Sequence, residues 1–157
     1  MMLERGLGGR ADLAGARKLY EEAFRGDVSA KVLLGAMYES ANGVAADAAQ
    51  AQRLYDEAIA LQAGYMGGDR PGAIAILGWM YLWGEPLKDY ARSRRWYLRS
   101  IEAGFAGNAF TNLGLIHEQG GDGVPRDLAE AERWYAKGAQ AGDKDSIEAL
   151  QRLRRAK

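Results

Sequence analysis

Three aspartates and one histidine are the side chains that could carry chemistry in this sequence. Asp47, Asp89 and Asp127 recur along the chain, and carboxylates gathered in a pocket could bind a metal ion or transfer protons. Each one, however, directly precedes a helical pattern, where an aspartate accepts hydrogen bonds from free backbone N–H groups. We therefore interpret the aspartates as helix N-caps and not as a catalytic set.

His117 is the only histidine in the chain, so no histidine cluster is available for a metal site or a catalytic triad. It follows a Leu-Gly pair at the spacing where Tyr38 and Tyr81 follow theirs, which indicates a packing role. The segment 120–127, GGDGVPRD, lacks the alternating oxygen ligands and the closing Glu of a calcium loop. With no nucleophile–base pair either, the sequence predicts a protein that is not an enzyme and holds no metal or cofactor.

The composition limits the classes of partner. The 157 residues include 21 Lys or Arg and 21 Asp or Glu. The protein therefore has no net positive charge that would attract the phosphates of nucleic acid. No apolar run is long enough to span a bilayer, and the first ten residues lack the apolar core of a signal peptide. The absence of cysteine favours the cytoplasm, with the periplasm as the alternative if the N-terminus is truncated.

A fixed pattern of residues recurs along the chain. Four Asp–Tyr pairs have the same spacing of eight residues: Asp12 and Tyr20, Asp47 and Tyr55, Asp89 and Tyr97, Asp127 and Tyr135. Three Leu-Gly pairs lie upstream of the last three of these: Leu34-Gly35, Leu77-Gly78 and Leu113-Gly114. Each repeat then reads as a helix A with the glycine, a turn, and a helix B with the tyrosine. The glycine predicts close approach of a second helix, because it is otherwise unfavourable inside a helix.

The recurring Leu-Gly and Asp–Tyr pairs resemble the Sel-1-like repeat family, which is related to the tetratricopeptide repeats. The last repeat carries the family's residues at ten positions: Ala109, Leu113, Gly114, Gly123, Val124, Asp127, Ala131, Trp134, Tyr135 and Gly142. It departs from the family at His117, where the family has Tyr, and the middle repeat has Pro86-Leu87 in place of Gly-Val. The resemblance implies an all-α fold, a right-handed α-solenoid of about eight helices stacked as antiparallel hairpins. It also implies an adaptor in protein–protein contacts.

The recurring residue pairs predict a single repeat domain over residues 1–157. Its parts are a partial leading repeat (1–27), the first repeat (28–64), an insertion (65–72), the middle repeat (73–104), the last repeat (105–142) and a capping helix (143–157). The capping helix would cover the last helix B with Ile147, Leu150 and Leu153, because the end of a solenoid needs a polar outer face.

Helix A of the middle repeat, 73–83, is apolar all round, whereas a helix with one exposed side usually has a polar stripe. In the related tetratricopeptide fold, helix A lines the concave surface. Carried over by position relative to the glycine, the resemblance predicts the following partner-binding residues: Ala75, Trp79, Leu82, Trp83 and Leu115, with Glu39 and Glu118 on either side. Exposed tryptophans often anchor interfaces. The alternative is that they are core residues.

The sequence therefore predicts a non-catalytic scaffold that binds a protein or peptide segment in its concave groove. The first alternative is a structural homo-oligomer, such as a homodimer, that assembles through the same aromatic residues. The second is a regulator of a cell-envelope or signalling enzyme.

Overall fold

The computed structural model of the chain describes residues 15, 18, 27–42, 44–84, 87–105, 107–121 and 123–156. Within these residues the chain forms seven helices and no strand: α1 (Val28–Ser40), α2 (Ala48–Tyr65), α3 (Arg70–Trp83), α4 (Tyr90–Glu102), α5 (Ala109–Gln119), α6 (Leu128–Gln140) and α7 (Lys144–Arg155). The predicted all-α fold is confirmed. The leading pair Asp12 and Tyr20 lies outside the described residues.

The chain divides into two compact units, Met1–Arg70 and Pro71–Lys157. In the first, α1 and α2 form a hairpin whose core contains Leu34, Met37 and Leu54. The second contains α3 to α7, and its buried residues form a larger cluster: Ala75, Leu82, Tyr90, Tyr97, Ala109, Leu113, Ile116, Val124 and Trp134. Each unit therefore has a hydrophobic core of its own.

The aspartates are helix N-caps, as predicted. A side-chain oxygen of Asp47 accepts from the backbone N–H of Gln50 at 2.9 Å, and one of Asp89 accepts from the N–H of Arg92 at 2.8 Å. Asp127 accepts from the first turn of α6, and the N–H of Glu130 is the main cause that holds the pKa of Asp127 below its usual value. The three carboxylates thus lie at the starts of three different helices, and each accepts a hydrogen bond from the first turn of its own helix.

A second bond made by each of these aspartates closes the turn between helix A and helix B. The backbone N–H of Asp47 donates to the carbonyl of Tyr38 (3.1 Å). In the same way, Asp89 N–H donates to Tyr81 O (2.8 Å) and Asp127 N–H donates to His117 O (2.8 Å). The start of helix B is thus tied to the end of helix A at the same position in all three repeats.

The Leu-Gly glycines allow a tyrosine ring to lie against helix A. A Cβ atom added to Gly114 would stand 2.4 Å from Cε1 of Tyr135, and one added to Gly35 would stand 2.7 Å from Cε1 of Tyr55. At Gly78 the corresponding distance, to Cδ1 of Tyr97, is 3.0 Å. Real Cβ atoms almost never approach another atom to less than 3.0 Å, and a contact of 3.0 Å is already unusually tight. The glycine in helix A and the tyrosine in helix B therefore depend on each other.

Half of the segment predicted as an insertion, 65–72, belongs to the two flanking helices in the structure. Tyr65 still belongs to α2, α3 begins at Arg70, and a short turn with positive φ at Gly67 (66°) and Gly68 (95°) joins them. Pro71 lies in the first turn of α3, where its missing N–H costs nothing. Among the helices described, none is both long enough and apolar enough to cross a membrane.

The last helix, α7, packs on α6. Leu153 is buried with Ala131 and Tyr135, and Leu150 is partly buried beside them. Ile147, which we predicted to cover helix B as well, is 36% exposed. Two of the three predicted apolar contacts of this helix are therefore present.

Candidate functional site

Trp79 and Trp83 lie one turn apart on α3, and both are half-exposed. Their exposed fractions are 49% and 50%, whereas Trp96 and Trp134 are almost completely buried. Residues four apart on a helix are neighbours on its surface, so the two rings present one aromatic surface. The structure thus places both tryptophans at the surface of the second unit and not in its core.

Ala75 and Leu82, predicted to share that surface, are instead buried in the core of the second unit, with exposed fractions of 4% and 0%. The geometry of the helix explains the difference. Each residue of an α-helix is rotated by roughly 100° about the helix axis from the residue before it. Measured in this way from Gly78, Leu82 and Ala75 lie only about 40° and 60° away. Trp79 and Trp83 lie at about 100° and 140°, beyond the face that packs on the second helix.

Glu118 is bound within the second unit and does not offer a free charge to a partner. Both guanidinium nitrogens of Arg152 donate to its two oxygens at 2.6 Å, and the hydroxyl of Tyr135 donates to Oε2 at 2.7 Å. The Arg152 bonds are the main cause that lowers the pKa of Glu118. Glu118 therefore connects α5 to both α6 and α7. Leu115, one turn earlier, is partly buried against the same core.

Glu39 makes the equivalent contact in the first unit. The hydroxyl of Tyr55 donates to Glu39 Oε2 at 3.0 Å, and Glu39 occupies the same position after Gly35 that Glu118 occupies after Gly114. The two glutamates that we predicted on either side of the aromatic residues thus have a structural partner in their own repeats. The recurrence of this glutamate was visible in the sequence, but its link to the tyrosine of helix B was not.

The middle repeat lacks this bond. Leu82 stands where the other two repeats have glutamate, and among the described residues no group forms a hydrogen bond with the buried hydroxyl of Tyr97. Tyr97 is fully buried, and this burial raises the pKa of its hydroxyl. The aromatic surface and this unpaired hydroxyl thus occur in the same repeat.

The Sel1 repeat family model matches residues 1–27, 28–62, 71–105 and 111–143, which is most of the chain. The chain belongs to the Sel1 repeat family. Proteins with Sel1 repeats are generally scaffolds for protein interactions.

Individual proteins with similar sequences or folds are also known. Chitin synthase regulator SKT5 of Saccharomyces cerevisiae is 32% identical over 86% of this chain, but the match spans only 19% of that protein's length. A Sel1 repeat protein from Oxalobacter formigenes is 30% identical, with a TM-score of 0.48, over 95% of this chain and 58% of that one. The protein c5321, a protective antigen of uropathogenic Escherichia coli with an SLR fold, is 27% identical, with a TM-score of 0.48, over 95% of this chain and 31% of that one.

His117 fills the tyrosine position of the last Sel1 repeat and is 8% exposed. Neither ring nitrogen has a hydrogen-bond partner among the described residues. Burial lowers the pKa of His117, and the nearby positive charge of Arg94 lowers it further. In the described part of the chain, no three His, Asp or Glu residues lie together as metal ligands would.

The basic side chains of α4 mostly cover aromatic rings and pair with acids. The guanidinium carbon of Arg99 lies 4.7 Å from the centre of the Trp96 ring, and that of Arg95 lies 5.9 Å from it. Arg92 donates to Asp89 at 2.9 Å. These three cations are thus stacked or paired with residues of α4 itself or of its N-cap.

Proposed function

We propose that this Sel1 repeat protein is a non-catalytic scaffold that binds a segment of a partner protein over Trp79 and Trp83. The observation that carries the proposal is the half-exposure of two tryptophans one turn apart on α3. Exposed aromatic surface of this kind is uncommon on soluble proteins outside contact sites, and tryptophan is enriched among residues that dominate binding energy.

The exposed area of the two rings is enough for a specific but moderate interaction. A tryptophan has roughly 200–250 Å² of surface, so about half of two such rings gives roughly 200 Å². At about 25 cal/mol per Å², covering this area contributes about 5 kcal/mol before the costs of association are subtracted. A binding segment therefore needs further contacts, and the partly buried Leu115 is the nearest predicted candidate on α5.

The proposal is tested by affinity purification with wild-type protein and Trp83→Asp as paired baits. Trp83→Asp is expected to keep the wild-type helical content, because half of the side chain is in water, and to lose the partner. Tyr65→Ala is the matched control, since Tyr65 is an exposed aromatic residue (73%) in the other unit. A partner that binds Trp83→Asp as well as wild type contradicts the proposal, and so does unfolding of Trp83→Asp.

A second candidate function is regulation of an enzyme through the same surface. The similarity to a protein named as a chitin synthase regulator favours it, although the match spans a small part of that protein. If a purified partner is an enzyme, its rate should change on addition of wild-type protein and stay constant on addition of Trp83→Asp. If the rate of the partner enzyme is unchanged with both proteins, regulation is excluded and the proposal of a scaffold remains.

Self-assembly is the remaining alternative, and the molar mass in solution separates it from partner binding. Light scattering on wild type and Trp83→Asp should show monomers for both proteins if the aromatic surface is reserved for another protein. A wild-type dimer that becomes a monomer in Trp83→Asp would assign the surface to a second copy of this chain.

A further inference from the structure

The end of α5 and the loop after it form the junction between the last repeat and α4 of the middle repeat. The hydroxyl of Tyr90 on α4 donates to Gln119 Oε1 at 2.5 Å. A Cβ atom added to Gly121 in the loop would stand 3.5 Å from the ring of Tyr90, and one added to Gly123 would stand 3.7 Å from Cβ of Ala91. These contacts all join neutral groups, so none of them would offset a charge that appears at the junction.

His117 lies near the end of α5 and is buried, with an exposed fraction of 8%. Neither ring nitrogen has a hydrogen-bond partner among the described residues. A neutral imidazole carries one N–H donor, whereas the protonated ring carries two donors and a full positive charge. Burying a charge without partners is far more unfavourable than burying a neutral group. The closed structure therefore suits the neutral ring and not the protonated one.

The charged groups around His117 are unevenly placed. Arg94 on α4 repels a positive charge on the ring, whereas Glu130 on α6 and Asp127 at the start of α6 attract it. Both carboxylates already accept hydrogen bonds, Glu130 from Arg133 at 2.9 Å and Asp127 from backbone N–H groups of α6. A proton on His117 would thus be repelled across the junction and attracted, in part, to its own hairpin.

Two charged residues from α7 and its N-cap also reach α5, but they bond to other residues. Arg152 donates to Glu118 at 2.6 Å, and Asp143 accepts from the hydroxyl of Thr111. No residue from 71 to 83, in α3, is charged. Arg94 is therefore the group that makes the position beside α4 unfavourable for a protonated His117.

The middle repeat carries a different pair of residues at the equivalent positions. Tyr81 stands three residues after its glycine, as His117 does. Arg92 stands three residues after its capping aspartate, as Glu130 does, and its guanidinium carbon lies 5.9 Å from the centre of the Tyr81 ring. A phenol and a guanidinium ordinarily titrate far above neutral pH, whereas an imidazole titrates close to it. The last repeat thus holds a titratable ring where the middle repeat has none.

We propose that His117 is an acid-sensitive latch for the last repeat. When the ring takes up a proton, α5, α6 and α7 move away from α4 together, while the hairpin of α5 and α6 stays closed. In the open state the ring is in water and has its usual pKa near 6.5, whereas in the closed state burial and Arg94 lower the pKa. Opening therefore increases as the pH falls below about 6.5, by at most about tenfold per pH unit for one proton. The latch acts whether or not Trp79 and Trp83 bind a partner.

The chain contains no cysteine, so pairs of introduced cysteines can carry spin labels without a background signal. Labels at the exposed residues Glu102 on α4 and Gln140 on α6 measure the distance across the junction by pulsed electron paramagnetic resonance. Labels at Asn108 and Gln140 measure the distance within the hairpin of α5 and α6. From pH 7.5 to pH 5.5, the population with a longer distance across the junction is expected to rise at least about threefold. The distance within the hairpin is expected to stay the same.

Two variants show whether the proton on His117 is the cause of opening. His117→Tyr, which carries the residue found in the other repeats, is expected to keep the short distance at both pH values. Arg94→Gln removes the repulsion from α4 and is expected to have a smaller open population at pH 5.5 than wild type. An unchanged distance in wild type, or a change in both label pairs, would overturn the inference. So would opening of either variant to the same extent as wild type.

A disulfide across the junction tests the latch without changing residue 117. The 3.7 Å between Cβ of Ala91 and a Cβ placed at Gly123 is within the usual range for a disulfide. The positive φ at Gly123 (81°) strains a cysteine there, but equally in the oxidised and the reduced form of the variant Ala91→Cys with Gly123→Cys.

Proton NMR follows the titration of His117 in both forms, because it is the single histidine of the chain. The oxidised form cannot open, so its His117 is expected to have a lower pKa than that of the reduced form. Equal pKa values in the two forms would show that protonation does not require the junction to open, and would contradict the latch.

Discussion

Tyr135 and Tyr97 hold the same position in consecutive repeats, but their hydroxyl groups have opposite surroundings. The hydroxyl of Tyr135 donates to an ionised Glu118, whereas that of Tyr97 is buried without an acceptor in the described structure. Tyr135→Phe is therefore expected to lower the free energy of unfolding by about 1.5 kcal/mol, the loss of a hydrogen bond to a charged group. Tyr97→Phe should leave it unchanged or raise it.

Urea unfolding of both variants, monitored by circular dichroism, measures the two effects on a common scale. The pair controls for the loss of an oxygen atom, because each variant loses the same atom from the same position of the repeat. Equal destabilisation by both variants would show that Tyr97 has an acceptor in solution.

Several single-residue roles followed from the sequence because they depend on neighbours within a few residues. Asp89 and Asp127 were predicted as caps, and a cap acts on N–H groups two or three residues later. The bond from Tyr135 to Glu118 was not predicted, because the two residues lie 17 apart on different helices. A link of that kind depends on how the two helices are rotated against each other.

At the scale of the helix, the Gly–Tyr contact fixes how closely helix A and helix B approach. A methyl group at Gly114 would overlap the ring of Tyr135, with a nearest distance of 2.4 Å. Gly114→Ala is therefore expected to destabilise the protein by about 1–3 kcal/mol, the usual cost of overpacking. Gly64→Ala, near the end of α2 with nothing within 4 Å, should stabilise it by up to about 1 kcal/mol.

Thermal unfolding of the two alanine variants checks this prediction, since both add one methyl group to a helix. If Gly114→Ala is as stable as Gly64→Ala, the ring of Tyr135 does not lie against helix A in solution.

The rotation of helix A also explains which part of the candidate site could be predicted. The sequence singled out an apolar α3, and Trp79 and Trp83 are indeed at the surface. Ala75 and Leu82 were placed beside them by position relative to the glycine, but they point closer to the packed face and are buried. An entirely apolar helix has no polar stripe to mark its exposed side, so its own sequence could not separate the two sets.

At the scale of the whole molecule, the single histidine makes stability depend on pH in a range where carboxylates do not titrate. Burial and Arg94 lower the pKa of His117 from its usual 6.5, while Glu130 and Asp127 partly oppose this. As the pH falls below about 6.5, His117 therefore takes up a proton in the unfolded chain before it does so in the folded protein. The free energy of unfolding falls as a result. Above that pH the residue is neutral in both states and has no such effect.

The prediction is that wild-type protein loses stability between pH 7.5 and pH 5.5 and that His117→Tyr loses less. Tyrosine occupies this position in the other repeats, at Tyr38 and Tyr81, so the variant is matched to the fold. Urea midpoints measured across this range provide the comparison. Parallel pH curves for the two proteins would assign the dependence to other groups.

The bond that closes each turn has a consequence for how this chain tolerates change. The Asp N–H and the carbonyl that accepts it are nine residues apart in the first repeat, eight in the middle and ten in the last. The same backbone hydrogen bond thus closes loops of three different lengths. These loops are the places where extra residues, such as an epitope or a fluorescent tag, could be inserted while the hairpin keeps its register.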